Sequence, residues 1–207
     1  MRLRRYSQLV IVLVATAILF AGTPARAADS AVPLIKRLND ALLATMQSAS
    51  SLGYEGRYQK LAPVIKSTFD LGFMTQYSAG RHWRELTDAQ KKALTDAFTR
   101  LTIATYAHRF DGYSGEKFTV TSEDTPREGN KLVHSELIKS DGEAIKLNYL
   151  MRQTKEGWRV IDIFLKGTIS ELATKRSEYS STLGNQGFDG LMAIFEQKIA
   201  GLQAAKG

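Results

Sequence analysis

Residues 116–166 constrain the fold most. Strand-like runs at 116–123, 131–140, 143–153 and 157–166 are separated only by TPREGN, SDG and TKEG. Those separators are turn chemistry, rich in Gly, Pro, Asp and Asn. Connections this short join antiparallel neighbours, so the sequence predicts a four-stranded meander. In the third run Ile145, Leu147, Tyr149 and Met151 share one face. Lys146, Asn148 and Arg152 share the other, and Leu150 breaks the rule. The fourth run, GWRVIDIFLKG, is apolar on both sides. Simple alternation puts Trp158, Val160 and Phe164 on one side and Ile161, Ile163 and Leu165 on the other. A strand with one wet face alternates apolar and polar, so this one needs something beside each face.

Helical patterns flank the sheet. Residues 32–50 carry the stripe Leu34, Leu38, Leu42, with Pro33 tolerated in the first turn. SSLGYEG breaks that pattern. Two shorter helices are expected at 57–67 and 70–78, with Asp70 as a cap and Gly80 as a stop. Residues 86–110 give the clearest helix, about 35 Å long at 1.5 Å per residue. Thr87 and Gln90 fit a capping box, and Leu94, Ala97, Phe98, Leu101 and Ala104 recur at helical spacing. A last helical region starts at Thr168 or Ser170 and breaks at 184–187. The expected architecture is α+β: helices packed on one face of a strongly curved antiparallel four-stranded meander.

The first 27 residues stand apart. Arg2, Arg4 and Arg5 precede the apolar run LVIVLVATAILFAG, and ARA at 25–27 has small residues at cleavage-site spacing. That pattern is a secretory leader, with residues 28–207 expected as one mature domain. The apolar run is shorter than the roughly 20 residues of a spanning helix. The chain carries 28 Lys and Arg against 21 Asp and Glu, net +7. Four of those arginines lie in the leader, so residues 28–207 hold 24 − 21 = +3. That scattered excess does not point to nucleic acid. There is no cysteine, which excludes a disulfide scaffold, thiol catalysis and cysteine metal sites.

Candidate chemistry is sparse. His82, His108 and His134 have no metal-ligand spacing to one another or to an acid. Neither G-x-S-x-G nor S-x-x-K occurs, and phosphate-binding glycine loops are missing. Asp162 sits within the greasy last strand, where a lone carboxylate needs a partner. Two readings stay open: a structural pair with an arginine, or a general base inside a cavity. Phe73, Met74, Tyr77, Tyr106, Phe110, Tyr113, Tyr149 and Met151 gather at helix ends and on the dry sheet face. Periodicity alone does not separate a filled core from an apolar pocket.

Two segments resemble a known family. FDLGFMTQYSAGRHWRELTDAQKKALTDAFTRLTIATYAHRFDGYSG supplies Phe69–Asp70, Gly80, Trp83, Thr87, Gln90, Tyr106, Tyr113 and Gly115. LNYLMRQTKEGWRVIDIFLKGTISELATKRSEYSSTLGNQGFDGLMAIFEQK supplies Tyr149, Trp158, Val160, Asp162, Gly167, Arg176, Tyr179, Gly187 and Leu191. This ordered set resembles the periplasmic phospholipid-binding MlaC and toluene-tolerance family, with overall similarity to its hopanoid-biosynthesis-associated HpnM branch. GTISELATKR departs from the family's run after the last strand, with Thr174 and Lys175 before Arg176.

The resemblance implies a periplasmic carrier without a cofactor. Its cargo would be phospholipid or hopanoid, held by acyl chain in an apolar cavity and shuttled between the inner and outer membranes. Its partners would be lipid-transport complexes of the two membranes, with transient membrane contact. The expected lipid-binding residues are Phe73, Met74, Tyr77, Tyr106, Phe110, Tyr113, Ile145, Leu147, Tyr149, Met151, Ile163 and Leu165. No catalytic or metal-binding residue is expected, and the resemblance narrows the arginine partner of Asp162 to Arg176. Two alternatives stand beside it: an enzyme acting on a hydrophobic small molecule on a cone-shaped α+β fold with Asp162 as base, and an adaptor with a solid core.

Overall fold

The sheet follows the order of the chain. In the computed structural model, which describes residues 30–127 and 129–205, five strands run β1-β2-β3-β4-β5, all neighbours antiparallel. They are β1 (Lys117–Asp124), β2 (Asn130–Ile138), β3 (Ala144–Thr154), β4 (Gly157–Leu165) and the two-residue β5 (Ile169–Ser170). The fifth adds to the four expected from sequence. It follows a turn in which Lys166 takes φ 52° and Gly167 φ 82°. The expected leader, residues 1–27, lies outside the described residues.

A β-bulge resolves the two-faced fourth strand. Tyr149 pairs with Ile163 and Leu147 with Leu165, but Met151 pairs with Val160 and Leu150 with Asp162. One step along β3 thus spans two along β4, leaving Ile161 as the extra residue. Paired residues share a sheet face. Trp158, Val160, Ile163 and Leu165 therefore all lie on the side of Met151, Tyr149 and Leu147. Phe164 and Asp162 lie on the opposite side, with Asn148 and Leu150. The expectation that Trp158, Val160 and Phe164 share a face fails because the alternation changes phase at the bulge. A second bulge, between Val120 and Ser122, does the same on β1. It brings Glu123 opposite Val133, where its Oε2 accepts the Ala31 N–H at 2.7 Å and the Val32 N–H at 3.2 Å. Bulges also bend and twist a sheet, which gives this one its curl.

Helices cover that inner face. They are α1 (Val32–Gln47), α2 (Ala49–Thr68), α3 (Leu71–Ala79), a 3-10 turn (Gly80–Glu85), α4 (Asp88–Arg109) and α5 (Glu171–Ala204). The break expected over SSLGYEG narrows to one residue, Gly53, at φ 58°. Asp70 caps α3 through the Phe73 N–H at 3.0 Å. The α4 capping box is present, with Gln90 N–H on Thr87 Oγ1 at 3.2 Å and Thr87 N–H on Gln90 Oε1 at 2.9 Å. Within α5, Gly187 takes φ 69° and ψ −169°, so the second arm turns back. Phe195 on that arm meets Tyr179 edge-on at 4.8 Å and Phe98 of α4 at 6.5 Å.

Buried Ile35, Leu38 and Leu42 of α1, Leu61 and Ile65 of α2, and Leu94 and Phe98 of α4 form the core with Val133, Met151 and Val160 of the sheet. Arg57 lies within it, 4% exposed. Its Nε donates to the Ala107 carbonyl at 2.8 Å and its Nη1 to that of Ala49 at 3.3 Å. Ala107 belongs to the last turn of α4, whose carbonyls have no intrahelical donors and carry the negative end of the dipole.

Candidate lipid cavity

The helices do not close evenly on the curled sheet. The C-terminal turns of α4 stand off from β2, β3 and β4 and leave a cavity of about 250 Å³. Tyr106, Arg109 and Phe110 come from the helix side, and Leu137, Ile145, Leu147, Tyr149, Ile163 and Leu165 from the strands. Apart from Arg109 and the two phenols, every wall is hydrocarbon. The bulge on β4 makes this composition possible, because it turns Ile163 and Leu165 inward and Asp162 away.

A narrower space of about 60 Å³ shares Tyr106, Arg109, Ile163 and Leu165 with that cavity. It runs between α4 and the start of α5, past Phe69, Met74, Phe98 and Tyr179. Glu171 and Lys175 stand at its polar side, with Lys175 Nζ 3.6 Å from Glu171. Beyond it, a cleft of about 390 Å³ opens between α4 and the second arm of α5. The two share Leu101, Thr105, Arg109, Lys175 and Tyr179, and the cleft adds His108, Glu178, Lys198 and Leu202. Lys198 is hydrogen-bonded to Glu178 across it. Apolar walls thus grade into a rim of both charge signs.

The ionisable groups report the same gradient. Burial raises the Tyr106 phenol well above its ordinary value, with the nearby Tyr149 adding to the effect. Burial also raises Tyr149 and Tyr179. Burial lowers Lys175, and Glu171 partly restores it. Both phenols in the larger cavity stay neutral, so they enter it as dipoles.

The twelve expected lipid-binding residues fall into five places. Tyr106, Phe110, Ile145, Leu147, Tyr149, Ile163 and Leu165 surround the larger cavity. Met74 lines the narrow space. Met151 is fully buried in the core, between Lys131 and Val160 in the sheet register. Phe73 and Tyr77 face outward on α3 in a separate groove, and Tyr113 is exposed in the turn after α4. Arg109 and Leu137 also line the cavity, and neither stands out in the sequence. Arg109 reads as a charge at a helix end and Leu137 as one alternating strand residue.

Asp162 lines none of these spaces. Its carboxylate accepts the Ile163 N–H at 2.7 Å, the Leu172 N–H at 2.9 Å and the Ser170 hydroxyl at 2.5 Å. The anticipated pair with Arg176 does not form. Arg176 instead donates to the Tyr77 carbonyl at 3.1 Å and lies over the Tyr77 ring at 4.7 Å. His134 bonds Asp124 across the β1–β2 pair at 2.8 Å, and His82 bonds Glu85 at 2.9 Å. Among the described residues no cluster of His, Asp and Glu is arranged to hold a metal, and no helix is long and apolar enough to cross a membrane.

Comparison with known proteins identifies the family and the fold. The MlaC protein family matches residues 36–197. Among solved structures, a phospholipid-binding protein from Ralstonia solanacearum, in complex with a phospholipid, superposes with a TM-score of 0.73 at 23% identity. The match covers 84% of this chain and 98% of that one. That likeness extends to the fold: helices over a curled antiparallel sheet.

Proposed function

Because the chain belongs to the MlaC family, we propose that it is a periplasmic lipid carrier, exported by removal of residues 1–27 and folded as one domain over residues 28–207. A hydrocarbon tail occupies the cavity between α4 and the sheet. The polar end of the lipid stays near the α4–α5 cleft, among Arg109, Lys175 and Lys198. The carrier moves lipid between complexes of the inner and outer membranes, touches each membrane transiently, and makes or breaks no bond.

The observation that carries this reading is the apolar cavity of about 250 Å³ under α4. An engineered apolar cavity of about 150 Å³ takes up benzene, so a hollow of this size suits a length of acyl chain. Each buried methylene contributes roughly 0.8 kcal/mol. The part of a tail held in the cavity is therefore spared that cost in crossing water. Tyr106 and Tyr149 offer neutral hydroxyls to ester oxygens. Asp162, with three donors on its carboxylate and its side chain on the sheet face away from the cavity, does not favour a base. Phospholipid is the favoured cargo, and a hopanoid would place the chain in the HpnM branch.

Native mass spectrometry of the purified protein, followed by solvent extraction, tests the reading. Copurifying phospholipid at near one per chain is expected. A chain that emerges without lipid, and takes none up from phospholipid vesicles, ends the proposal.

A further inference from the structure

We propose that the groove outside α3 docks an acidic, extended segment of a partner protein, on the opposite side of that helix from the lipid space. The groove measures about 670 Å³ and lies between α3, the 3-10 turn, β3 and α5. Its charged walls are Arg81, Arg84, Arg152 and Arg176, and among the described residues no carboxylate lines it. This inference stands whatever the cargo is.

The sequence builds the groove from one helix face. Phe73 and Tyr77 lie four apart on α3, so they stack along its outer side, with ring centroids 6.1 Å apart at 28°. The Arg152 guanidinium covers the Phe73 ring at 4.4 Å and that of Arg176 covers Tyr77 at 4.7 Å. The result is a ladder, Arg–Phe–Tyr–Arg, held at each end. Arg152 is fixed by Asp70, with Nε at 2.8 Å and Nη2 at 2.6 Å from its Oδ2. Arg176 is fixed by the Tyr77 carbonyl. Gly80, at φ 62°, then turns the chain so close to α5 that a Cβ there would meet Ser180 Oγ at 3.1 Å. That turn sets Arg81, Trp83 and Arg84 along the same wall.

Charge decides the occupant. Arg152 has Asp70, but among the described residues Arg81, Arg84 and Arg176 make no salt bridge with a carboxylate. Four arginines thus meet in one groove, although the excess over residues 28–207 is only +3. Guanidinium forks match carboxylates two bonds at a time, and stacking on aromatic rings pre-orders them. A concave site with an aromatic floor receives a chain segment better than a flat bilayer does. Acidic side chains alternating with apolar ones would meet the arginines and the rings together.

The test uses the exported protein and a fluorescein-labelled decapeptide of alternating glutamate and leucine, read by fluorescence anisotropy in low and moderate salt. Binding that weakens as salt rises is expected, with a shift of the Trp83 indole resonance in a parallel NMR titration. The double variant Arg81→Glu/Arg84→Glu should lose about tenfold or more in affinity, as expected for reversing charges that face an acidic ligand. Its melting temperature and copurified lipid should match the parent. Both residues are exposed, so the substitutions spare the core. Equal affinity of parent and variant would overturn the proposal, as would absence of peptide binding. Flotation with phosphatidylglycerol vesicles that depends on the same arginines, without peptide binding, would assign the groove to a membrane surface and also overturn it.

Discussion

Ser170 donates its hydroxyl proton to Asp162 at 2.5 Å while accepting the Ala173 N–H at 2.8 Å. The cap of α5 is thus itself held by a carboxylate on β4. Asp162 also takes the Leu172 N–H directly. One buried acid thereby fixes where α5 leaves the sheet, and α5 carries the Lys175 and Tyr179 side of the lipid space. Replacing Asp162 by Ala removes three acceptor contacts and loosens the cap. A loss of about 2–4 kcal/mol in urea unfolding is expected. Asp162→Asn should recover part of it, and the folded fraction of both variants should still carry lipid. A change below about 0.5 kcal/mol would show that the cap does not depend on this acid.

Arg57 fastens a different corner. Its guanidinium is buried against the carbonyls of Ala107 and Ala49. Arg57→Met leaves the Ala107 carbonyl, near the negative end of α4, without its donor. A loss of about 2–4 kcal/mol is expected, read as a lowered thermal midpoint with the far-ultraviolet spectrum unchanged. An unaltered midpoint would mean that hydration replaces the arginine at no cost.

Cavity walls can be tested by charge. Ile163 faces the hollow from β4. Ile163→Lys places an ammonium where a methylene chain should lie, and copurified lipid should fall about tenfold while the fold survives. Tyr149→Trp should lower it too, by filling space. Lipid content equal to the parent in both variants would remove these positions from the wall.

The Lys175 ammonium should titrate below the ordinary 10.5, because burial outweighs the help of Glu171. Its side chain is 29% exposed. With a folded pKa below the unfolded one, the unfolded chain binds the proton more readily between the two values. Stability from this group therefore rises as pH climbs through that window and is flat above it. Glu171→Gln should lower the titration further. Nζ-detected NMR reads both effects, and a midpoint at or above 10.5 would contradict the burial.

How much of this was legible in the sequence depended on how local the cause was. Turn residues fixed the four main strands within a residue or two, and the Thr87–Gln90 box fixed the start of α4. Gly187 marked the bend in α5. The phase change on β4 was not legible, because a bulge depends on how β3 pairs with it and not on composition. That one residue moves Ile163 and Leu165 to the side of Val160. On α3, Phe73, Met74 and Tyr77 are all apolar in a nine-residue helix, so the pattern could not say which side meets the cavity. No local pattern marks Arg57 for burial. Its burial follows from α4 passing over it, fifty residues later in the chain.

The strict sequential order of the strands bears on assembly in time. Each sheet partner is the next segment along the chain, so each hairpin closes a short loop at small entropic expense. The tighter curl at the two bulges is written into those hairpins and can form before the last helix has been laid down. The narrow space and the cleft beyond it then wait for α5, whose second arm must swing back at Gly187 to reach Phe98. Pulse-labelled hydrogen exchange during refolding should find amides of β2 and β3 protected ahead of those in residues 188–204. Simultaneous protection would contradict that order.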